Sequence, residues 1–233
     1  MERYRGPARG VDTKSSQTDM VSEADREAEA AIAELLRAER PDDALVGEEG
    51  AGDEGTSGRR WVVDPLDGTT NYLYRFPAWC VSVALEDEEG GLAGVVHDPL
   101  RGETFRARRG GGAELNGEPI AVNDHDDLAT ALVATGFGYD PDVRAGQGDV
   151  VRALLPHIRD LRRAGAAALD LCFVACGRLD GYFERGVNHW DYAAGVLIVR
   201  EAGGEVVELE GGRFGLAAAG PRLVRPLAEL VRE

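Results

Sequence analysis

Lysine is nearly absent from this chain: Lys14 is the only one among 26 basic residues, the rest being arginine. Basic charge of any kind is short. The 42 acidic residues leave a formal net charge of −16 over 233 residues, and such a surface repels nucleic acid and anionic membrane. Excess carboxylate with arginine in place of lysine fits adaptation to high salt, where dense counterions screen the self-repulsion. Cysteine is scarce too. Cys80, Cys172 and Cys176 make no disulfide framework and no pair with zinc-finger spacing. Cys172 and Cys176, four apart, share one apolar helix face and read as buried thiols. No apolar run approaches the roughly 18–20 residues of a membrane span. The first residues, MERYRGPARG, lack the apolar core of a secretory signal. The cytoplasm is the expected location, with no membrane and no nucleic acid as partner.

What is present suffices for a substantial core: 43% of residues are hydrophobic, ordinary for a folded protein. Ser22-Glu23-Ala24-Asp25 opens an amphipathic helix to about Glu39, stopped by Pro41. Ala44 to Val46 reads as a strand delivering Glu48 and Glu49, Gly50 to Gly58 as a polar loop, and Trp61 to Val63 as the next strand. Cys80 to Leu85 and Leu92 to Val96 read as a hairpin, followed by strands at Thr104 to Ala107 and Ile120 to Val122 around an Asn116-Gly117 turn. Helices are expected at Asp149 to Arg159, Ala166 to Ala175, Asp191 to Glu201 and Arg222 to Arg232, with a strand at Asp180 to Glu184. Strand runs interrupted by single helices point to α+β layers rather than a doubly wound sheet. No internal repeat or linker divides the chain, so residues 1–233 read as one unit.

The most informative stretch is Trp61 to Tyr72, WVVDPLDGTTNY. Asp64 and Asp67 stand three apart after a short apolar run, and Gly68, Thr69, Thr70 and Asn71 suit a helix start. Paired oxygen donors suit Mg²⁺, and free N–H groups at a helix start favour an anion. The bland alternative is a strand-to-helix turn whose Asp residues only cap and solvate. Three further segments weigh against it. Gly47-Glu48-Glu49 puts acids at a strand end. ERGVNHWDYAAG, Glu184 to Gly195, puts Asp191 at the start of a helix with small residues. KSSQTDMVSEAD, Lys14 to Asp25, supplies a lysine with Asp19 and Asp25. Taken singly, Glu48-Glu49 is a solvated pair, Asp191 a helix cap and Lys14 a surface residue. The four His (His97, His125, His157, His189) carry no ligand spacing and read as structural.

Together, with DPLDGTTN and WDYAAG as the specific motifs, these segments resemble the inositol monophosphatase family. Its members are Mg²⁺-dependent, lithium-sensitive sugar-phosphate phosphatases, some archaeal ones also acting on fructose 1,6-bisphosphate. The resemblance runs from about Asp12 to the C-terminus and implies an α+β fold, a layered α-β-α-β-α sandwich. It further implies that Glu48, Asp64 and the Leu66 carbonyl hold one metal, and that Asp64 bridges to a second held with Asp67 and Asp191. A third metal near Glu48 is left open by the short Glu48-to-Asp64 linker. Gly68 and Thr69 would offer N–H groups to phosphate, while Thr69 and Glu48 position and deprotonate the attacking water. Glu184 would bind a substrate hydroxyl, and Lys14, Asp19 and Asp25 lie near the site. Four carboxylates balance the four charges of two Mg²⁺, roughly 4 Å apart, that in-line hydrolysis of an anionic ester uses.

The expected substrate is inositol 1-phosphate. Fructose 1,6-bisphosphate is the alternative, since Arg162 and Arg163 would reach a second phosphate. A regulatory binding protein without catalysis is the remote rival. Ala166 stands where relatives often carry Ser or Thr, which removes one hydroxyl contact. Relatives carry a further N-terminal helix, and Met1 to Gly6 resembles only its last turn, so either one flank of the core is uncovered or the start codon is misassigned. The family's habit of pairing makes a homodimer the expected assembly.

Overall fold

A computed structural model of the chain describes residues 4, 10–14 and 20–232. Residues 1–3, 5–9 and 15–19 lie outside the described set, so the truncated-helix expectation and Asp19 do too. A short pair of strands, β1 (Asp12–Thr13) and β2 (Met20–Val21), precedes helix α1 (Glu23–Glu39). A capping box starts α1: the Ser22 hydroxyl accepts from Ala24 N at 3.2 Å, and Asp25 accepts from Ser22 N at 3.0 Å. Its apolar side, with Ala33 buried and Ile32 and Leu36 beside it, packs on Leu45 and Val63 of the sheet below.

That sheet has eight strands: β3 (Ala44–Gly47), β4 (Gly52–Asp53), β5 (Arg60–Asp67), β6 (Cys80–Asp87), β7 (Gly90–Asp98), β8 (Glu103–Arg108), β9 (Ala113–Leu115) and β10 (Glu118–Pro119). Their order is β10-β9-β8-β7-β6-β5-β3-β4, antiparallel except where β3 runs parallel to β5. A six-residue helix, α2 (Thr69–Tyr74), leaves the end of β5. The expected strand at Ile120 to Val122 does not form: Ile120 N still donates to the Ala113 carbonyl at 3.0 Å, but Val122 N turns to the Ala202 carbonyl at 3.1 Å.

The second half begins with β11 (Leu132–Thr135), α3 (Pro141–Leu154) and β12 (Asp160–Arg162). It continues through α4 (Ala167–Ala175), β13 (Gly181–Arg185), α5 (His189–Glu201), β14 (Glu205–Glu208), β15 (Gly215–Ala219) and α6 (Val224–Leu230). The five strands form a second sheet in the order β12-β11-β13-β15-β14. Helix α3 starts at Pro141 rather than Asp149, because Asp140 caps Asp142 N and Val143 N and Pro141 fits the first helical position. Gly146 and Gly148 mask its pattern in the sequence, and Pro156 converts its expected end into a 3-10 turn.

Helices α4 and α5 lie between the two sheets, in a core that includes Phe105, Leu169, Leu171, Tyr182 and Ile198. Helix α6 and the end of α3 cover the far side of the second sheet through Leu154, Leu223 and Leu227. Layer by layer this is α-β-α-β-α, the expected sandwich. Among the described residues no helix is long and apolar enough to cross a membrane.

Candidate active site

Strand β5 does not stop before the acids. It runs through Asp67 with a bulge: Asp64 opposes Ser82 and Asp67 opposes Cys80, with the register shifting between them. Pro65 sits inside that bulge, where a missing N–H breaks no ladder bond. Both carboxylates are thereby buried and aimed at one region. Gly68 follows with φ 93°, and a Cβ there would stand 2.9 Å from the Ala78 carbonyl. Only glycine makes this turn at that distance. Helix α2 has six residues, so it offers free N–H groups rather than a full macrodipole. Asn71 ties the turn down by donating to the carbonyls of Ala78 and Ala164 at 2.6 and 2.8 Å.

Three other elements converge on this turn. The parallel pairing of β3 with β5 brings Glu48 alongside, its N–H on the Val63 carbonyl at 3.1 Å. The Glu29 carboxylate on α1 holds the following loop by accepting from Glu49 N and Ala51 N, each at 2.7 Å. Asp25, fully buried in the first turn of α1, accepts from the Thr69 hydroxyl at 2.9 Å. At the start of α5, Asp191 caps Asn188 N at 2.6 Å. A cavity of about 630 Å³ opens here, and Lys14, Glu48, Asp64, Asp67, Thr69, Glu184, Asp191 and Arg163 all face it.

Arg162 does not join them. It is the last residue of β12 and extended backbone sends neighbours to opposite sides, so Arg162 pairs with Asp160 at 2.7 Å beside another groove. The correction follows from strand alternation, and Arg213, from a loop the sequence reading passed over, lines the cavity instead. Cys80 was also missed as a neighbour of the site; its thiol lies 3.7 Å from Asp67. Cys172 is buried as expected, while Cys176, expected buried on the same face, is half-buried at the C-terminal cap of α4.

The acids repel one another. Burial lifts Asp64 well above the usual carboxylate range, and the charges of Glu48, Asp67 and Asp191 lift it further. Burial raises Asp67 to about 7 against the opposing Ala168 N–H, which it accepts at 2.7 Å. Asp191 is pushed up to about 8 by burial and then by Asp67, and Glu184 to about 7 by burial. Cations stand against them: Arg163 draws Glu184 down, and Lys14 pairs with the glutamates directly. Lys14 reaches Glu48 at 2.8 Å and Glu49 at 2.5 Å, and these contacts raise its pKa although burial acts the other way.

All the donors are hard oxygens, the set Mg²⁺ prefers, and Lys14 shows where positive charge is welcome. Among the described residues no three acid, thiol or imidazole groups close on one point as a finished coordination shell. Each carboxylate has an oxygen engaged within the protein: Asp64 with Leu66 N at 3.0 Å, Asp67 with Ala168 N, Asp191 with Asn188 N and Glu48 with Lys14. The donor chemistry, four carboxylates on one cavity, fits a divalent cation.

Asp170, on α4 behind the cavity, is buried and its Oδ2 has no hydrogen-bond partner. Burial raises its pKa well above the usual range, and Glu184 and Asp67 add to the rise. Because the folded state holds this proton more tightly, the carboxyl's contribution is intact below the unfolded pKa of about 4 and is lost as pH rises toward the folded value. Asp170→Asn should thus stabilise the fold at pH 7 by about 1–2 kcal/mol. Urea unfolding of both proteins should show that gain vanishing near pH 4.

Comparison with known proteins places the chain in a family. The model of the family described as "Inositol monophosphatase family" matches residues 1–230. A Nus factor SuhB from Xylella fastidiosa is 48% identical over 199 residues, covering 85% of this chain and 72% of its own. An inositol-1-monophosphatase from Synechocystis is 45% identical over 204 residues, with 86% and 71% covered. The crystal structure of the extragenic suppressor protein suhB from Bartonella henselae superimposes with a TM-score of 0.90 at 38% identity, covering 96% of this chain and 88% of that one. This chain belongs to the inositol monophosphatase family.

Proposed function

We propose that this chain is a Mg²⁺-dependent phosphomonoesterase that hydrolyses inositol 1-phosphate to myo-inositol and phosphate. One observation carries the reading: Glu48, Asp64, Asp67 and Asp191 face one cavity with their affinity for protons raised by shared burial and repulsion. Carboxylates so placed favour a divalent cation over each other's company. Glu48, Asp64 and the Leu66 carbonyl would hold one Mg²⁺, and Asp64, Asp67 and Asp191 a second. When bound, Mg²⁺ supplies Lewis-acid polarisation of the phosphoryl group and a lowered pKa for water.

The chain's own groups do the rest. Gly68 and Thr69 N–H groups receive phosphate oxygens. The Thr69 hydroxyl, already donating to Asp25, takes the proton of the attacking water as its own passes to the Asp25 carboxylate. That pairing supports Asp25 as the base behind Thr69, the part assigned to Glu48 from the sequence alone. Glu184 accepts a hydrogen bond from a hydroxyl of the polyol. Fructose 1,6-bisphosphate is the alternative substrate, with Arg163 and Arg213 on the cavity wall to take a second phosphate. The reading includes one domain, a homodimer and a cytoplasmic site of action.

Phosphate release from both esters, with and without Mg²⁺ and at low and multimolar KCl, tests it. Inositol 1-phosphate should be the better substrate, Mg²⁺ should be obligatory and millimolar lithium should inhibit. A folded protein that releases no phosphate under any of these conditions would sink the reading. The relatives named Nus factor SuhB support a second one, a regulatory binding role. The charge of −16 points such a role toward protein partners rather than nucleic acid.

A further inference from the structure

Tyr182 is wholly buried on β13, and its phenol donates to the Glu184 carboxylate at 2.7 Å. The two are two residues apart on one strand and therefore share a face of the sheet. Tyr182 lies between Ala134 and Ala218 on the neighbouring strands, whose small side chains leave room for the ring. From the other side Glu184 rests on Gly136: a Cβ there would stand 2.0–2.2 Å from the carboxylate atoms. A carboxylate facing a cavity that also contains Asp67 and Asp191 is repelled by them and drawn by Arg163. Without a fixed donor these opposing pulls would leave its direction unset.

We infer that Tyr182 is a positioning residue for substrate selection: its phenol pins Oε2 of Glu184, so that Oε1 is presented to a hydroxyl of the polyol rather than to the phosphate. The inference rests on the phosphatase reading and adds to it a preference for esters that carry a free hydroxyl within reach of Glu184. Tyr182 does not line the cavity, and its hydrogen bond goes to Glu184 rather than to a carboxylate proposed as a metal ligand, so removing its hydroxyl should alter recognition and spare the chemistry. Gly136 is the second half of the device, because any side chain there displaces the same carboxylate.

The test uses Tyr182→Phe, which keeps the buried ring and removes only the hydroxyl, with two substrates at saturating Mg²⁺. Inositol 1-phosphate offers hydroxyls to Glu184; 4-nitrophenyl phosphate offers none. The variant should raise KM for inositol 1-phosphate about tenfold, the worth of one hydrogen bond to a charged group. It should leave kcat within about twofold, and KM for 4-nitrophenyl phosphate likewise. Gly136→Ala should reproduce that selective loss. In a double-mutant cycle, Tyr182→Phe should add almost nothing to Glu184→Ala. Equal KM increases for both esters, or losses that simply add in the cycle, would overturn the inference while leaving the phosphatase reading intact. Failure of the phosphatase reading looks different: the wild type then releases phosphate from neither ester, and the inference falls with it.

Discussion

Asp191→Asn should lower Mg²⁺-dependent phosphate release by about 100-fold or more, since it removes a proposed metal ligand together with its charge. The same substitution should do the opposite to the protein without metal. Asp191 is driven up to about 8 by burial and by Asp67, so at neutral pH the folded wild type must bind a proton that the unfolded chain releases, and a neutral amide removes that cost. The Asn side-chain oxygen still accepts from Asn188 N, the bond that starts α5. Thermal unfolding should therefore show Asp191→Asn above wild type in EDTA. With about 10 mM Mg²⁺ the order should reverse, because only the wild type gains from binding. Near-normal turnover, or a Mg²⁺ response equal to that of wild type, would reject Asp191 as a ligand. The crossing of the two stabilities separates a lost ligand from a damaged fold, which would be less stable in both buffers.

The second large effect is expected at Asp25. Asp25→Asn keeps the shape but removes the group that would receive the Thr69 proton, and kcat should fall roughly 100- to 1,000-fold, the range of a lost general base. Asp25 is not among the proposed ligands, so the Mg²⁺ dependence of thermal unfolding should stay close to wild type. That contrast distinguishes it from Asp191→Asn. Asp25 also accepts from Ser22 N and from the Ser22 hydroxyl, so some stability is lost with it. A loss of about 1 kcal/mol, typical for a helix cap, is expected. If kcat stayed within a few-fold of wild type, proton transfer through Thr69 and Asp25 would be excluded.

Asp25 illustrates how far a sequence reading reaches here. As text it is one of several acids in a helix start, put near the site by family resemblance and with no partner there. Its Oδ2 does cap α1, while its Oδ1 serves Thr69, 44 residues away. One carboxylate performs both tasks, and only the packing of α1 against the β5–α2 turn reveals the second. Arg162 and Arg163 show the converse. Adjacent in sequence and identical in chemistry, they were read as one site, yet extended backbone sends one to the cavity and the other to Asp160. The Ala-rich strand β15 was invisible for a related reason. All five of its residues are buried, so it has no polar alternation, and Ala carries no strand preference of its own.

The sequence by itself determined the family and pointed to the metal-and-phosphate character proposed for the site, because both rest on residue types at short fixed spacing. Asp64 and Asp67 across a Pro-Leu step, Gly68 at the turn and Asp191 before small residues are local patterns with local causes. Even the acid excess is a property of composition alone. The tertiary structure decided which of many plausible charged groups meet. It placed Asp25 under Thr69, set Glu184 on Gly136 with Tyr182 behind it, and brought Arg213 rather than Arg162 to the cavity wall. Those contacts join residues tens of positions apart on different layers, and their energies come from burial and distance. Neither quantity exists until the sheets have closed around α4 and α5.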